Sequence, residues 1–122
     1  MSASTLAVRL RYDAKSRLWI YSVGRKAQCH VHISRPLMGV ANATITTLFV
    51  AEPYRGQKIG QRLLVNVLRH LYRRKKVYRV ELSDCSLRCR KPHNIYRNAG
   101  FYYVSDDNLM RANLRHALQH CQ

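Results

Sequence analysis

A change of hydrophobic period near residue 59 does most to limit the folds open to this chain. From Ile59 to Tyr72 an apolar series runs through Ile59, Leu63, Leu64, Val67, Leu68, Leu71 and Tyr72. Spacings of four, one, three, one, three and one put them on one stripe of an amphipathic helix. Arg69, Arg73, Arg74, Lys75 and Lys76 gather toward its C-terminal end, where positive charge suits the helix dipole. Strand patterns flank the helix. Ala43 to Val50, rich in Thr, Ile, Phe and Val, precedes it, and Val77 to Leu82 comes after. Such a strand-helix-strand unit fits neither a helical bundle nor a β-sandwich.

The rest of the chain supplies antiparallel material. Leu6, Val8, Leu10 and Tyr12 alternate with Ala7, Arg9 and Arg11, and Asp13 to Ser16 provides turn residues. Arg17 to Val23 is a second apolar run, Gly24-Arg25-Lys26 a turn, and Cys29, Val31 and Ile33 alternate with His30 and His32. Arg35 to Asn42, with Pro36 and Gly39, reads as a loop. Beyond the helix, His93 to Asn98 predicts a short second helix stopped by Gly100, and Phe101 to Val104 another strand. Leu109 to Leu114 is compatible with a last strand or the start of a helix. The expected class is α+β (mixed α/β), one domain over residues 1–122.

Charge is the outlying property. Twenty-two Lys and Arg against six Asp and Glu give a formal net charge of +16, which predicts attraction to nucleic acid, acidic protein segments or a polyphosphate ligand. No stretch approaches the ~18 consecutive apolar residues of a membrane span, so no membrane partner is expected. Met1 to Thr5 lacks a basic region followed by an apolar block, so no secretory signal is read. Cys29, Cys85, Cys89 and Cys121 are therefore expected as reduced thiols, in a cytoplasmic setting or in a nucleus or host cell. Cys85, Cys89 and His93, with His116, His120 and Cys121, can be drawn as a zinc site, but the spacing is not the usual C-x2-C and no metal is expected.

The chemistry concentrates where strand 43–50 meets the helix. Pro53 and Gly56 break the strand, and the first turn of the helix has unpartnered N–H groups and the positive dipole end. Such a turn binds phosphate, glycine lets the ligand approach the backbone, and Arg55 and Lys58 add cationic side chains. These residues build an anion pocket without naming the anion.

The run Thr47-Leu48-Phe49-Val50-Ala51-Glu52-Pro53-Tyr54-Arg55-Gly56-Gln57-Lys58-Ile59-Gly60-Gln61-Arg62-Leu63-Leu64 resembles the acetyl-CoA-binding segment of the GNAT superfamily of N-acyltransferases. Arg55 and Gly60 match the first and last positions of that signature. Lys58 stands where its middle glycine is usual, a departure that a helical backbone there would accommodate. Ile95-Tyr96-Arg97-Asn98-Ala99-Gly100-Phe101-Tyr102 is similar to the family's later element, a tyrosine four residues before a Gly-Phe pair. Cys89 occupies the position seven residues before Tyr96 at which many members carry asparagine. The likeness covers roughly residues 43–114, and the first 42 residues are too few for the family's usual pair of N-terminal helices.

The resemblance implies a mostly antiparallel twisted sheet, a splayed parallel pair formed by strands 43–50 and 77–83, one long helix and a shorter second one. It implies that Leu48, Phe49 and Val50 lie along the pantetheine arm of acetyl-CoA. Arg55, Gly56, Gln57, Lys58, Ile59, Gly60 and Gln61 would then surround the pyrophosphate. Tyr96 would be the general acid that protonates the leaving thiolate, after an amine attacks the thioester directly in a ternary complex. The base is open among Glu52, Glu81, Asp84, His30, His32 and water, since strand 43–50 holds no carboxylate. The expected acceptor is an amine on an acidic protein or on an RNA or DNA complex, an aminoacyl group of tRNA included. The alternative is a GNAT-like module without catalysis that binds nucleic acid or an acidic partner through its basic surface. Either reading leaves a homodimer open.

Overall fold

The computed structural model describes residues 7–35, 41–83, 95–104 and 108–118. Its strands are β1 (Arg9–Asp13), β2 (Leu18–Val23), β3 (Ala27–Ser34), β4 (Ala41–Val50), β5 (Val77–Ser83), β6 (Tyr102–Tyr103) and β7 (Leu109–Asn113). Its helices are α1 (Ile59–Arg74), α2 (Ile95–Asn98) and α3 (Leu114–Ala117). One sheet runs in the order β1-β2-β3-β4-β5-β7-β6. Every pairing is antiparallel except β4 with β5, whose parallel crossover is α1, as a β-α-β unit requires.

The first three strands form the expected meander. Residues 14–17 alone join β1 to β2, so no helix intervenes there. Ala41 and Asn42, expected in a loop, instead open β4, while residues 36–40 lie outside the described segments. The C-terminal stretch takes both forms offered for it: β7 inserts between β5 and β6, and α3 begins directly after it. Asn113 caps α3, its Oδ1 accepting from the Arg115 N–H at 3.1 Å.

The core lies between α1 and one face of the sheet. Leu63, Leu64, Val67, Leu68 and Leu71 are fully buried, the stripe read from their spacing. Each contributes on the order of 1.5–3 kcal/mol through burial. They pack with Cys29, Val31, Ala43, Ile45, Val77, Val80 and Leu82, the inward residues of β3, β4 and β5. Lys76, in the left-handed region with φ +57°, ends the helix side of the crossover.

Two irregularities set the end of β4 apart from its beginning. In the β3–β4 ladder His30 pairs with Thr47 but Val31 pairs with Ile45, so Thr46 is an extra residue, a β-bulge. Before the bulge, Ala41, Ala43 and Ile45 face the core; after it, Leu48 and Val50 do, while Thr47 and Phe49 turn to the opposite face. Pairing with β5 ends at Ile45–Leu82. Among the described residues, Thr46 to Val50 therefore keep a strand on one side only, and the parallel pair parts as the resemblance implied.

Candidate functional site

The chain leaves β4 through a 3-10 turn over Glu52–Tyr54, with Pro53 in its first turn, where a missing N–H costs nothing. The Ala51 N–H donates to the Lys26 carbonyl at 2.7 Å, and the Lys26 ammonium sits 5.4 Å from the centre of the Tyr54 ring. The β2–β3 turn thus anchors the segment. Arg55 Nε donates to the Val50 carbonyl at 3.0 Å, which holds the guanidinium against the end of β4.

Two left-handed residues then redirect the backbone. Gly56 has φ +85°, a conformation suited to glycine. Lys58, the residue that caps α1, has φ 62° and ψ 18°. The expectation of a helical backbone at Lys58 is thereby corrected: it occupies the left-handed region, where a Cβ crowds the adjoining carbonyl. This explains in physical terms why glycine is usual there. Lys58→Gly should accordingly raise stability by about 1 kcal/mol, read as a thermal midpoint a few degrees higher. An unchanged or lower midpoint would contradict the strain.

The first turn of α1 has open donors. No side chain caps it. The Lys58 carbonyl accepts from Arg62, but among the described residues the N–H groups of Ile59, Gly60 and Gln61 have no protein acceptor. Beside them lies a cleft of about 440 Å³ lined by Val50, Tyr54, Arg55, Gly56, Lys58, Ile59, Gly60, Gln61 and Ile95. Seven of these nine are residues singled out from sequence. A Cβ on Gly60 would stand 3.0 Å from Val50 Cγ2 and 3.9 Å from Ile95 Cδ1, so glycine lets α1 begin this close to β4 and α2.

Leu48, Phe49 and Gln57 do not line the cleft with their side chains. Leu48 is half-buried on the α1 face, Phe49 is 49% exposed on the other, and Gln57 is exposed. Tyr54 and Ile95 are additions. Each adjoins a chosen residue, Arg55 and Tyr96, but neither has chemistry that marks it in isolation.

Tyr96 follows Ile95 on α2 and is half-buried. The spacing of tyrosine, glycine and phenylalanine is that of a Schellman helix end. The Gly100 N–H donates to the Arg97 carbonyl at 3.1 Å and the Phe101 N–H to the Tyr96 carbonyl at 3.0 Å. Gly100 has φ +100°, and the rings of Tyr96 and Phe101 meet edge to face with centroids 6.2 Å apart. Backbone and ring contacts together fix where Tyr96 stands.

The groups considered as bases are dispersed. Glu81 accepts from Arg111, at 2.7 Å from Nε and 2.6 Å from Nη2, so an ion pair occupies its carboxylate. Glu52 is exposed. His30 Nε2 lies 3.1 Å from Gln28 Oε1, and His32 is exposed. Asp84, Cys85, Cys89 and His93 fall outside the described residues. Among those described, no three His, Cys, Asp or Glu are placed to hold a metal, and no helix is long and apolar enough to cross a membrane. Cys29 is fully buried, and burial pushes its thiol up to about 12, which removes it as a nucleophile.

Comparison with known proteins agrees with this geometry. Residues 14–103 match the model of the acetyltransferase (GNAT) domain. A chain of the AtaT–AtaR complex bound to DNA superposes with a TM-score of 0.70 at 12% identity, covering 96% of this chain and 100% of that one. AtaTR bound with acetyl-CoA gives 0.68 at 13% identity, covering 88% and 74%. A GNAT-family acetyltransferase from Staphylococcus aureus gives 0.60 at 17%, covering 80% and 66%. No curated protein sequence matches the chain. At these identities the solved structures establish a shared fold.

Proposed function

Since the chain belongs to the GNAT family of acetyltransferase domains, we propose that it moves an acetyl group from acetyl-CoA to an amine carried by a polyanionic acceptor. The observation that carries this reading is the joint between β4 and α1. Among the described residues, an unpaired strand edge, three open amides, two cationic side chains and a glycine at a 3.0 Å approach converge on one cleft.

The residues fit acetyl-CoA part by part. The free edge of Thr46 to Val50 offers backbone donors and acceptors to an amide-bearing chain, as to an added strand. The amides of Ile59, Gly60 and Gln61, with Arg55 and Lys58, suit a pyrophosphate. When bound, acetyl-CoA supplies an activated thioester. The chain's part is to hold the acceptor amine against it, to offer a backbone donor to the developing oxyanion, and to return a proton from Tyr96 to the sulfur. With Glu81 paired to Arg111, water is the simplest acceptor of the amine's proton.

The acceptor class rests on charge. A net +16 favours an amine presented by a nucleic acid or an acidic protein complex, an aminoacyl group on tRNA among them, in a cytoplasmic setting. A neutral small amine would gain nothing from this field.

Calorimetric titration with acetyl-CoA should give a Kd within about 1 μM–1 mM, the span usual for enzyme substrates. Arg55→Ala should weaken it by roughly tenfold, the loss of one charge-assisted contact. Absence of binding at millimolar acetyl-CoA would remove the proposal.

A further inference from the structure

At the far end of the sheet from the cleft, β1 is an edge strand, and among the described residues nothing pairs with its outer side. Exposed edges are templates for another strand. The register gives this one two distinct rows. Leu10 and Tyr12 pair with Tyr21 and Trp19 and so lie on the α1 face. Arg9 and Arg11 pair with Ser22 and Ile20 and lie on the opposite face. Leu10 and Tyr12 are 36% and 49% exposed, large apolar side chains left open beside a charged row.

The apolar row runs into a second cavity. Val8, Leu10, Tyr21, Asn66 and His70 line a space of about 260 Å³ between β1 and α1, room for one large side chain. Its polar wall is set: Tyr21 Oη and His70 Nδ1 are 2.8 Å apart, and Asn66 Nδ2 donates to the Arg62 carbonyl at 3.1 Å. Beyond Tyr12, the Lys75 ammonium lies 3.5 Å over the Trp19 ring. Asp13 closes the charged row, but Ser16 Oγ at 2.7 Å and the Lys15 N–H at 3.3 Å already occupy its carboxylate.

We propose that the outer edge of β1 docks an extended peptide of a partner protein in which acidic and apolar residues alternate. A strand added to β1 places one row of its side chains beside Arg9 and Arg11 and the other beside Leu10, Tyr12 and the cavity. Acidic residues match the first row, and an apolar or aromatic residue fills the cavity from the second. Backbone hydrogen bonds supply affinity and the alternation supplies specificity. A second copy of the chain is a poorer occupant, since two chains of +16 repel and each would bring Arg11 to the shared edge. RNA satisfies the arginines but neither the strand edge nor the apolar row. The proposal is independent of acetyl transfer.

The test uses the whole chain and synthetic octapeptides alternating Glu with Leu or Val, monitored by fluorescence anisotropy and amide hydrogen exchange. The alternating peptide should bind, weaken with salt, and slow exchange across Arg9–Asp13. Arg9→Glu with Arg11→Glu should weaken binding by at least about tenfold, as two attractive cross-strand pairs become repulsive. A Lys-for-Glu peptide should then prefer that variant. N-methylation at alternate peptide residues keeps every charge and removes donors, so it should abolish binding without touching the protein. Equal affinity for a scrambled peptide, undiminished binding after N-methylation, equal protection of β1 by poly(U), or a β1-paired dimer of the free chain would each overturn the proposal.

Discussion

Replacing Tyr96 by Phe is expected to lower turnover by about 100-fold or more while leaving acetyl-CoA affinity unchanged. The substitution removes one hydroxyl and keeps the backbone and ring contacts described for this residue. The Tyr96 backbone carbonyl still accepts from Phe101, and the ring still meets the Phe101 ring edge to face. A positioned proton donor contributes typically 10²–10⁴-fold, so the lower end of that range is the least effect a general acid should show. The donors beside the cleft belong to Arg55, Lys58 and the first turn of α1, which explains why binding should not respond. Single-turnover rates together with calorimetry separate the two quantities. Undiminished turnover would remove Tyr96 from the role of acid while leaving the cleft assignment standing.

The largest effect on stability is expected from Gly100→Ala. A Cβ at this position would lie 2.6 Å from Ala117 Cβ and 3.0 Å from Ala117 Cα. The second neighbour is main chain of α3, which cannot rotate away. The φ of +100° adds a backbone cost for any L residue with a side chain. Strain and overpacking together come to roughly 3 kcal/mol, a large part of the stability of a domain this size. Chemical denaturation should show a lowered midpoint at unchanged m-value. A midpoint within error of the wild type would mean that α2 and α3 separate at little cost. Because Gly100 ends the helix that carries Tyr96, a milder loss of fold should still appear as a loss of turnover.

Much of this architecture is legible in the sequence, for identifiable reasons. The α1 stripe announces itself because seven of the eight apolar residues over four turns share one helical face. The cleft is legible because glycine, proline and basic residues crowd a strand-to-helix junction, and the first amides of any α-helix have no intrahelical partner. The features that escape are those in which distant residues decide. Nothing in Thr44-Ile45-Thr46-Thr47-Leu48 marks Thr46 as the extra residue, since either threonine can face solvent, and the β3 register selects between them. Lysine is not a residue that signals a left-handed backbone, so the conformation of Lys58 stays hidden until the turn is seen. The insertion of β7 between β5 and β6 brings together strands from separate parts of the chain, and hydrophobic alternation carries no record of which neighbour a strand takes.

The bulge at Thr46 gives β4 two independent reading frames. Ala41, Ala43 and Ile45 answer to the core, and a change in their size is felt by the helix across from them. Thr47 to Val50 take the opposite parity: Leu48 and Val50 look toward α1, and Thr47 and Phe49 toward the face away from it. On the acetyl transfer proposed above, variation at 47 and 49 would act on the face away from α1 and leave the packing before the bulge undisturbed. One inserted residue thus separates, within a single strand, the positions that packing fixes from positions that packing leaves open.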